Sequence, residues 1–280
     1  MSVEFLNASE SRQTPNGTRY WRAGSGESVI LIHGVGLDAT IWQSQFAAMA
    51  RDYDVIAYDM LGHGGSPAPN PSATLDDYAK QLEELIEQLA LESIAIVGFS
   101  MGGLVARLMA IRTPDRVRCL VILAGVFGRN DEQSERLSQR LEEVRRDGPQ
   151  ASVEQAIQRW FTEPWLRENP EKIERIRRLV LGNDPQSYYT SYALFGREDN
   201  IGRSQLDRLQ MPVLVATGEE DPGSTPEMTR ALAQQLPNAS WRVLPGMRHM
   251  LIMEHPDTVN AMLLAFLAEH HHSPDLERLS

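Results

Sequence analysis

The chain has 280 residues, 42% hydrophobic and 23% charged, which is enough for one large globular domain carrying an insertion. Its 38 acidic against 27 basic residues leave a formal charge of −11; that argues against a nucleic-acid or anionic-membrane surface, although a local arginine can still receive an anionic substrate. No apolar run approaches membrane-spanning length, and the opening "MSVEFLNASESRQ" lacks the basic and apolar segments of a secretory signal; with a single cysteine, Cys119, and so no internal disulfide, the expected compartment is the cytoplasm.

From the N-terminus, "VEFLNA" and "RYWRAG" suggest an antiparallel edge hairpin. Short apolar runs follow: "SVILIHG" (28–34), "DVIAYDM" (54–60), "SIAIVGFS" (93–100), "VRCLVILAG" (117–125), "PVLVATG" (212–218) and "ASWRVLPG" (239–246). Most are nearly continuous, as parallel strands buried on both faces should be. Cys119 lies in one of them and is expected to serve packing. Between the runs, "TLDDYAKQLEELIEQLAL" (74–91) repeats apolar residues at steps of three and four behind a Thr74–Asp77 capping box. "GGLVARLMAIRTPD" and "HPDTVNAMLLAFLAEH" also read as helices. Strands alternating with helices predict an α/β fold with a mostly parallel eight-stranded sheet covered by helices on both faces.

The alternation stops between about Asn130 and Asp207. This stretch is charged, helical in period and dotted with aromatics, and it is too long for a plain loop. The expected organisation is a core of residues 1–129 and 208–280 with a helical cap, 130–207, inserted in it. The adjacent His270, His271 and His272 read as a solvated terminus.

The chemistry centres on "VGFSMGG" (97–103). A serine between glycines at the end of an apolar run suits a sharp strand-to-helix turn that pushes the Ser100 hydroxyl into the open. A serine hydroxyl needs a base, and a neutral imidazole suits that task; the imidazole in turn needs a carboxylate to fix its tautomer. His249, just past the last strand, is the candidate base. His33 and His63 sit in glycine-containing turns and read as structural. Asp221 in "VATGEEDPGSTPE" is the candidate acid, preferred over Glu219 and Glu220 because a short carboxylate in a proline turn is held rigidly. The backbone N–H groups of Val35 and Met101 are the candidate oxyanion donors.

With these residues in place, the chain resembles a capped α/β-hydrolase-fold protein along nearly its whole length. The resemblance rests on His33-Gly34, "DMLGHGGS" (59–66), Gly98-Phe99-Ser100-Met101-Gly102-Gly103, Gly218 with Asp221, and Gly246 with His249, Glu254 and Pro256. Haloalkane dehalogenases and most epoxide hydrolases of that fold carry aspartate where Ser100 stands. Carbon–carbon bond hydrolases tend to carry Asn where Phe99 stands. "HGVGLDATIWQSQ" and "RWFTEPWLRENP" look more like 3-oxoadipate enol-lactonase-type hydrolases, which often lack the His33-Gly34 pair.

The resemblance implies hydrolysis of a small-molecule carboxylic ester or (enol-)lactone through an acyl-serine intermediate, with no metal or organic cofactor; the acidic balance points to no nucleic-acid partner and no membrane. A homo-oligomer is neither required nor excluded. A carbon–carbon hydrolase or perhydrolase using the same triad is the alternative, and a ligand-sensing receptor with slow turnover ranks lower. Trp42, Phe99, Met101, Trp160 and Phe161 are candidates to line an apolar pocket, with core packing the competing reading for each. Arg159 and Arg197 are candidates to hold a substrate carboxylate.

Overall fold

The computed structural model describes Leu6 and residues 10–271. Eight strands form one sheet: β1 (Arg12–Gln13), β2 (Arg19–Ala23), β3 (Ser28–Ile32), β4 (Asp54–Tyr58), β5 (Ile94–Phe99), β6 (Val117–Leu123), β7 (Val213–Gly218) and β8 (Ala239–Leu244). Their spatial order is β1-β2-β4-β3-β5-β6-β7-β8, antiparallel at β1-β2-β4 and parallel from β4 onward. The six apolar runs are the six parallel strands. β4, β5 and β7 are buried along their whole length, so continuous apolar runs replace the alternation of a one-faced sheet.

The edge hairpin differs from expectation. "RYWRAG" supplies β2, but its partner is Arg12–Gln13; "VEFLNA" falls, apart from Leu6, outside the described residues.

The helices between strands are α1 (Gln43–Met49), α2 (Leu75–Gln88), α3 (Met101–Arg112) and α9 (Pro226–Ala233), and α10 (Leu251–Glu254) and α11 (Pro256–Glu269) follow the last strand. The Asp77 carboxylate accepts the Thr74 N–H at 2.7 Å, closing the capping box of α2. α3 is buried from Met101 to Ala110, which explains its apolar character on every side. α1 packs with α11, and α2 with α3, so helices cover both sheet faces. Between β6 and β7 the chain leaves the sheet and forms only helices: α4 (Asp131–Asp147), α5 (Val153–Trp160), α6 (Glu163–Glu168), α7 (Pro170–Leu181) and α8 (Pro185–Arg197), with short 3-10 turns.

Cys119 is buried in β6, where desolvation pushes its thiol up to about 11, so it packs and does not react. The terminal histidines are less free than expected. His270 meets Phe266 edge-on at 4.6 Å and His271 lies 3.7 Å from Glu27, while His272 is outside the described residues. Among the described residues no helix is long and apolar enough to cross a membrane.

Candidate active site

Val35, Ser100, Met101, Asp221 and His249 follow the C-terminal ends of the parallel strands β3, β5, β7 and β8, where loops emerge on one side of the sheet. Ser100 sits between β5 and α3 with φ 55° and ψ −116°, a conformation that L-residues rarely adopt. Sterics explain the surrounding glycines. A Cβ on Gly98 would lie 2.4 Å from the Gly102 carbonyl oxygen, and one on Gly102 would lie 2.3 Å from that of Ile32. The turn is held by the Ser100 N–H donating to Leu123 O at 2.9 Å and the Gly103 N–H donating to Ser100 O at 3.0 Å. Met101 is the first residue of α3, so no helical carbonyl reaches its N–H.

His249 and Asp221 meet across 28 positions of sequence, with Nδ1 and Oδ2 2.6 Å apart. Glu219 and Glu220 point elsewhere: Glu219 accepts the Gly246 N–H and Glu220 lies 3.6 Å from Arg248. The other Asp221 oxygen accepts the Gly223 and Ser224 N–H groups at 2.8 and 2.9 Å, so the proline turn grips the carboxylate. The Nδ1–H donation fixes the neutral imidazole with Nε2 as its basic nitrogen. The ring meets Phe99 and Trp160, at centroid distances of 5.0 and 6.3 Å.

The "HGVG" turn is pinned by the two other histidines. His33 Nε2 accepts the Met60 N–H, His63 Nε2 accepts the Gly36 N–H, and each Nδ1 donates to a carbonyl, of Gly34 and Leu61 respectively. Burial drives both pKa values down, that of His63 to about 3, so both rings are neutral structural props. Ser100, Asp221, His249 and Val35 all line one cleft of about 740 Å³, a volume that includes the solvent at its mouth. A hydroxyl on a strained turn, a carboxylate-oriented imidazole and a glycine-flanked backbone turn are the parts that acyl transfer uses.

Residues 27–256 match the family described as the alpha/beta hydrolase fold. The chain belongs to that family. It is 34% identical over 250 residues to an (E)-2-((N-methylformamido)methylene)succinate hydrolase of Acinetobacter baylyi, covering 89% of this chain and 93% of that one. It is 28% identical to 3-oxoadipate enol-lactonase 2 of the same organism, covering 83% and 85%. The crystal structure of the enol-lactonase from Burkholderia xenovorans LB400 superposes with a TM-score of 0.83 at 26% identity, over 90% of this chain and 98% of that one. Hydrolysis is the chemistry these names share.

The walls of the hydrolase cleft differ in part from the sequence reading. Phe99 and Trp160 line it. Trp42 does not: it is fully buried in the core behind Phe99, which it meets edge-on at 6.2 Å. Phe161 does not either, because it is buried against Trp165 in a flat stack at 4.4 Å. The Met101 side chain is buried in the core, which leaves only its backbone for the site. Arg159 lines the cleft, whereas Arg197 is exposed on the far end of α8. Sequence reasoning did not single out Arg129, Arg140 or Ser152 as lining residues. Tyr188, Tyr192 and Phe195 also line it; their spacing of four and three along α8 was the available signal.

Proposed function

We propose that this hydrolase cleaves a carboxylic ester or enol-lactone through an acyl-serine intermediate. Ser100 Oγ attacks the carbonyl carbon while His249 Nε2 takes its proton. Asp221 stabilises the resulting imidazolium through Nδ1. The carbonyl oxygen becomes an oxyanion facing the Val35 and Met101 N–H groups, each worth about 3 kcal/mol to the transition state. The imidazolium passes its proton to the leaving oxygen as the C–O bond breaks. Water, deprotonated at the same Nε2, then attacks the acyl carbon, and Ser100 regains its proton. Residues 130–207 act as a cap over a core of 1–129 and 208–280. The reading is carried by one observation: the strained Ser100 turn and the His249–Asp221 pair line a single cleft. The enol-lactonase relatives support it.

The test is a fluorophosphonate label on the wild type and on Ser100→Ala, with p-nitrophenyl esters of rising chain length, lactones and vinylogous diketones. The wild type labels and turns over an ester or lactone, and Ser100→Ala loses labelling and at least about 10⁴-fold in kcat. Labelling that persists in the variant removes Ser100 from its role. A wild type that cleaves diketones faster than every ester or lactone assigns the same residues to carbon–carbon hydrolysis.

A further inference from the structure

Most arginines on the inserted helices are paired. Arg136, Arg145, Arg146, Arg167, Arg177 and Arg178 each reach a carboxylate, all of them at exposed positions or the outer surface. Three arginines instead line the cleft that holds Ser100. One of these, Arg129, is already engaged: its Nη1 donates to the Phe195 and Gly196 carbonyls, its guanidinium lies 4.6 Å over the Phe195 ring, and its N–H donates to Asp199.

The other two, Arg140 on α4 and Arg159 on α5, are different. Among the described residues neither has a carboxylate partner; Arg140 donates only to the Tyr192 hydroxyl, at 3.3 Å. Both are half-buried, and the only carboxylate among the described residues that line the cleft, that of Asp221, is held by His249 and two backbone N–H groups. Burial, then the neighbouring positive charge of Arg140, push the Arg159 pKa down. Two half-buried guanidinium groups thus share one cleft wall, and among the described residues no anion offsets their charge.

We infer that Arg140 and Arg159 form an anion subsite that receives a carboxylate of the substrate, so that the preferred ester or enol-lactone carries a carboxylate away from the bond being cleaved. The inference rests on the hydrolytic reading for the cleavage step and on the cleft alone for the binding step. The guanidinium fork matches a carboxylate's two oxygens. The surrounding wall of Tyr188, Tyr192, Phe195 and Trp160 favours a singly charged group over a phosphate dianion, whose desolvation costs more. The two arginines stand on different helices of the insertion, so the bound carboxylate also ties α4 to α5.

The binding step is read without turnover. Ser100→Ala protein is titrated calorimetrically with monomethyl glutarate, with its neutral analogue dimethyl glutarate, and with inorganic phosphate. Monomethyl glutarate binds at least tenfold more tightly than dimethyl glutarate, and added NaCl weakens only the charged ligand. The preference falls at least tenfold when Arg159→Gln or Arg140→Gln is added. Should either double variant fail to fold, the salt dependence and Arg159→Lys, which keeps charge and loses the fork, carry the test. Equal binding of the two esters, or a preference that survives both glutamine variants, overturns the subsite. Tighter binding of phosphate than of monomethyl glutarate overturns its assignment to a carboxylate. In the wild type, kcat/KM for mono-p-nitrophenyl glutarate exceeds that for p-nitrophenyl butyrate at least tenfold, mainly through KM. If neither ester turns over while the carboxylate preference holds, the hydrolytic reading fails and the subsite stands.

Discussion

Ser100 holds backbone strain at the turn that presents it to the cleft. Its φ of 55° is tolerated because the strand before it and the helix after it hold both ends, and because Gly98 and Gly102 leave room for the carbonyls of Gly102 and Ile32. The room is gone with one methyl. In Gly98→Ala the new Cβ meets Gly102 O at 2.4 Å, and backbone on both sides must shift. Misplacing a reacting atom by about 1 Å costs on the order of 100-fold, so the fluorophosphonate labelling rate of Gly98→Ala falls by about that factor. The overpacking lowers stability by about 1–3 kcal/mol, read as a drop in the urea midpoint. A variant that labels at the wild-type rate would mean that the turn does not set the geometry of Ser100.

The helix α5 and the loop carrying His249 are fastened together. Met250 N–H donates to Trp160 O at 2.9 Å, and Arg248 Nη1 donates to the Gln158 and Phe161 carbonyls, both at 3.0 Å. These carbonyls lie at the C-terminal end of α5, where a cation is favoured. Glu254 completes the join by accepting the Thr162 N–H and hydroxyl with one oxygen and the Arg248 N–H with the other. The segment that bears Arg159 and Trp160 is therefore tied directly to the neighbours of the imidazole. Arg248→Ala removes two charge-assisted bonds at a half-exposed site. It should lower stability by about 1 kcal/mol, or about 2–4 °C in Tm, measured by calorimetry. Amide exchange at the C-terminal turn of α5 should quicken in the same variant, while exchange in β5 stays slow. Equal exchange in α5 of the two proteins would show that the clamp does not hold the helix.

Folding as a whole takes two neutral histidines out of water, and this gives the molecule an acid limit. His33 and His63 lie 5.0 Å apart, fully buried, and burial depresses the pKa of both, that of His63 to about 3. The unfolded chain therefore binds more protons than the folded one below about pH 6.5. Their contribution to stability is complete above that pH and is lost as pH falls toward 3, at up to about 1.4 kcal/mol per pH unit for each proton. Asp59, whose pKa burial and Asp38 raise, acts in the opposite sense near the carboxylate range, so the histidine effect is cleanest between pH 6.5 and 5. Urea midpoints measured across pH 7.5 to 5 should decline below 6.5, and His63→Gln should decline less steeply. A flat profile in the wild type would contradict the buried neutral pair.

Much of this fold is legible in the sequence, and the reason is local. A strand buried on both faces must be apolar throughout, a half-buried helix must repeat every three or four residues, and a turn as tight as that at Ser100 admits only glycine at Gly98 and Gly102. Each constraint acts over a few neighbours in the chain, so it leaves its mark on a few neighbouring letters. The cleft wall obeys no such rule. Trp42 and Phe161 are buried in the core, while Arg140, Tyr188 and Tyr192 line the cleft. Which side of α4, α5 or α8 looks into the cleft follows from how those helices settle on a sheet built from distant segments. That docking is set by contacts such as Arg107 with Asp199 O and Arg248 with Phe161 O, 92 and 87 positions apart, and helical periodicity carries no record of them.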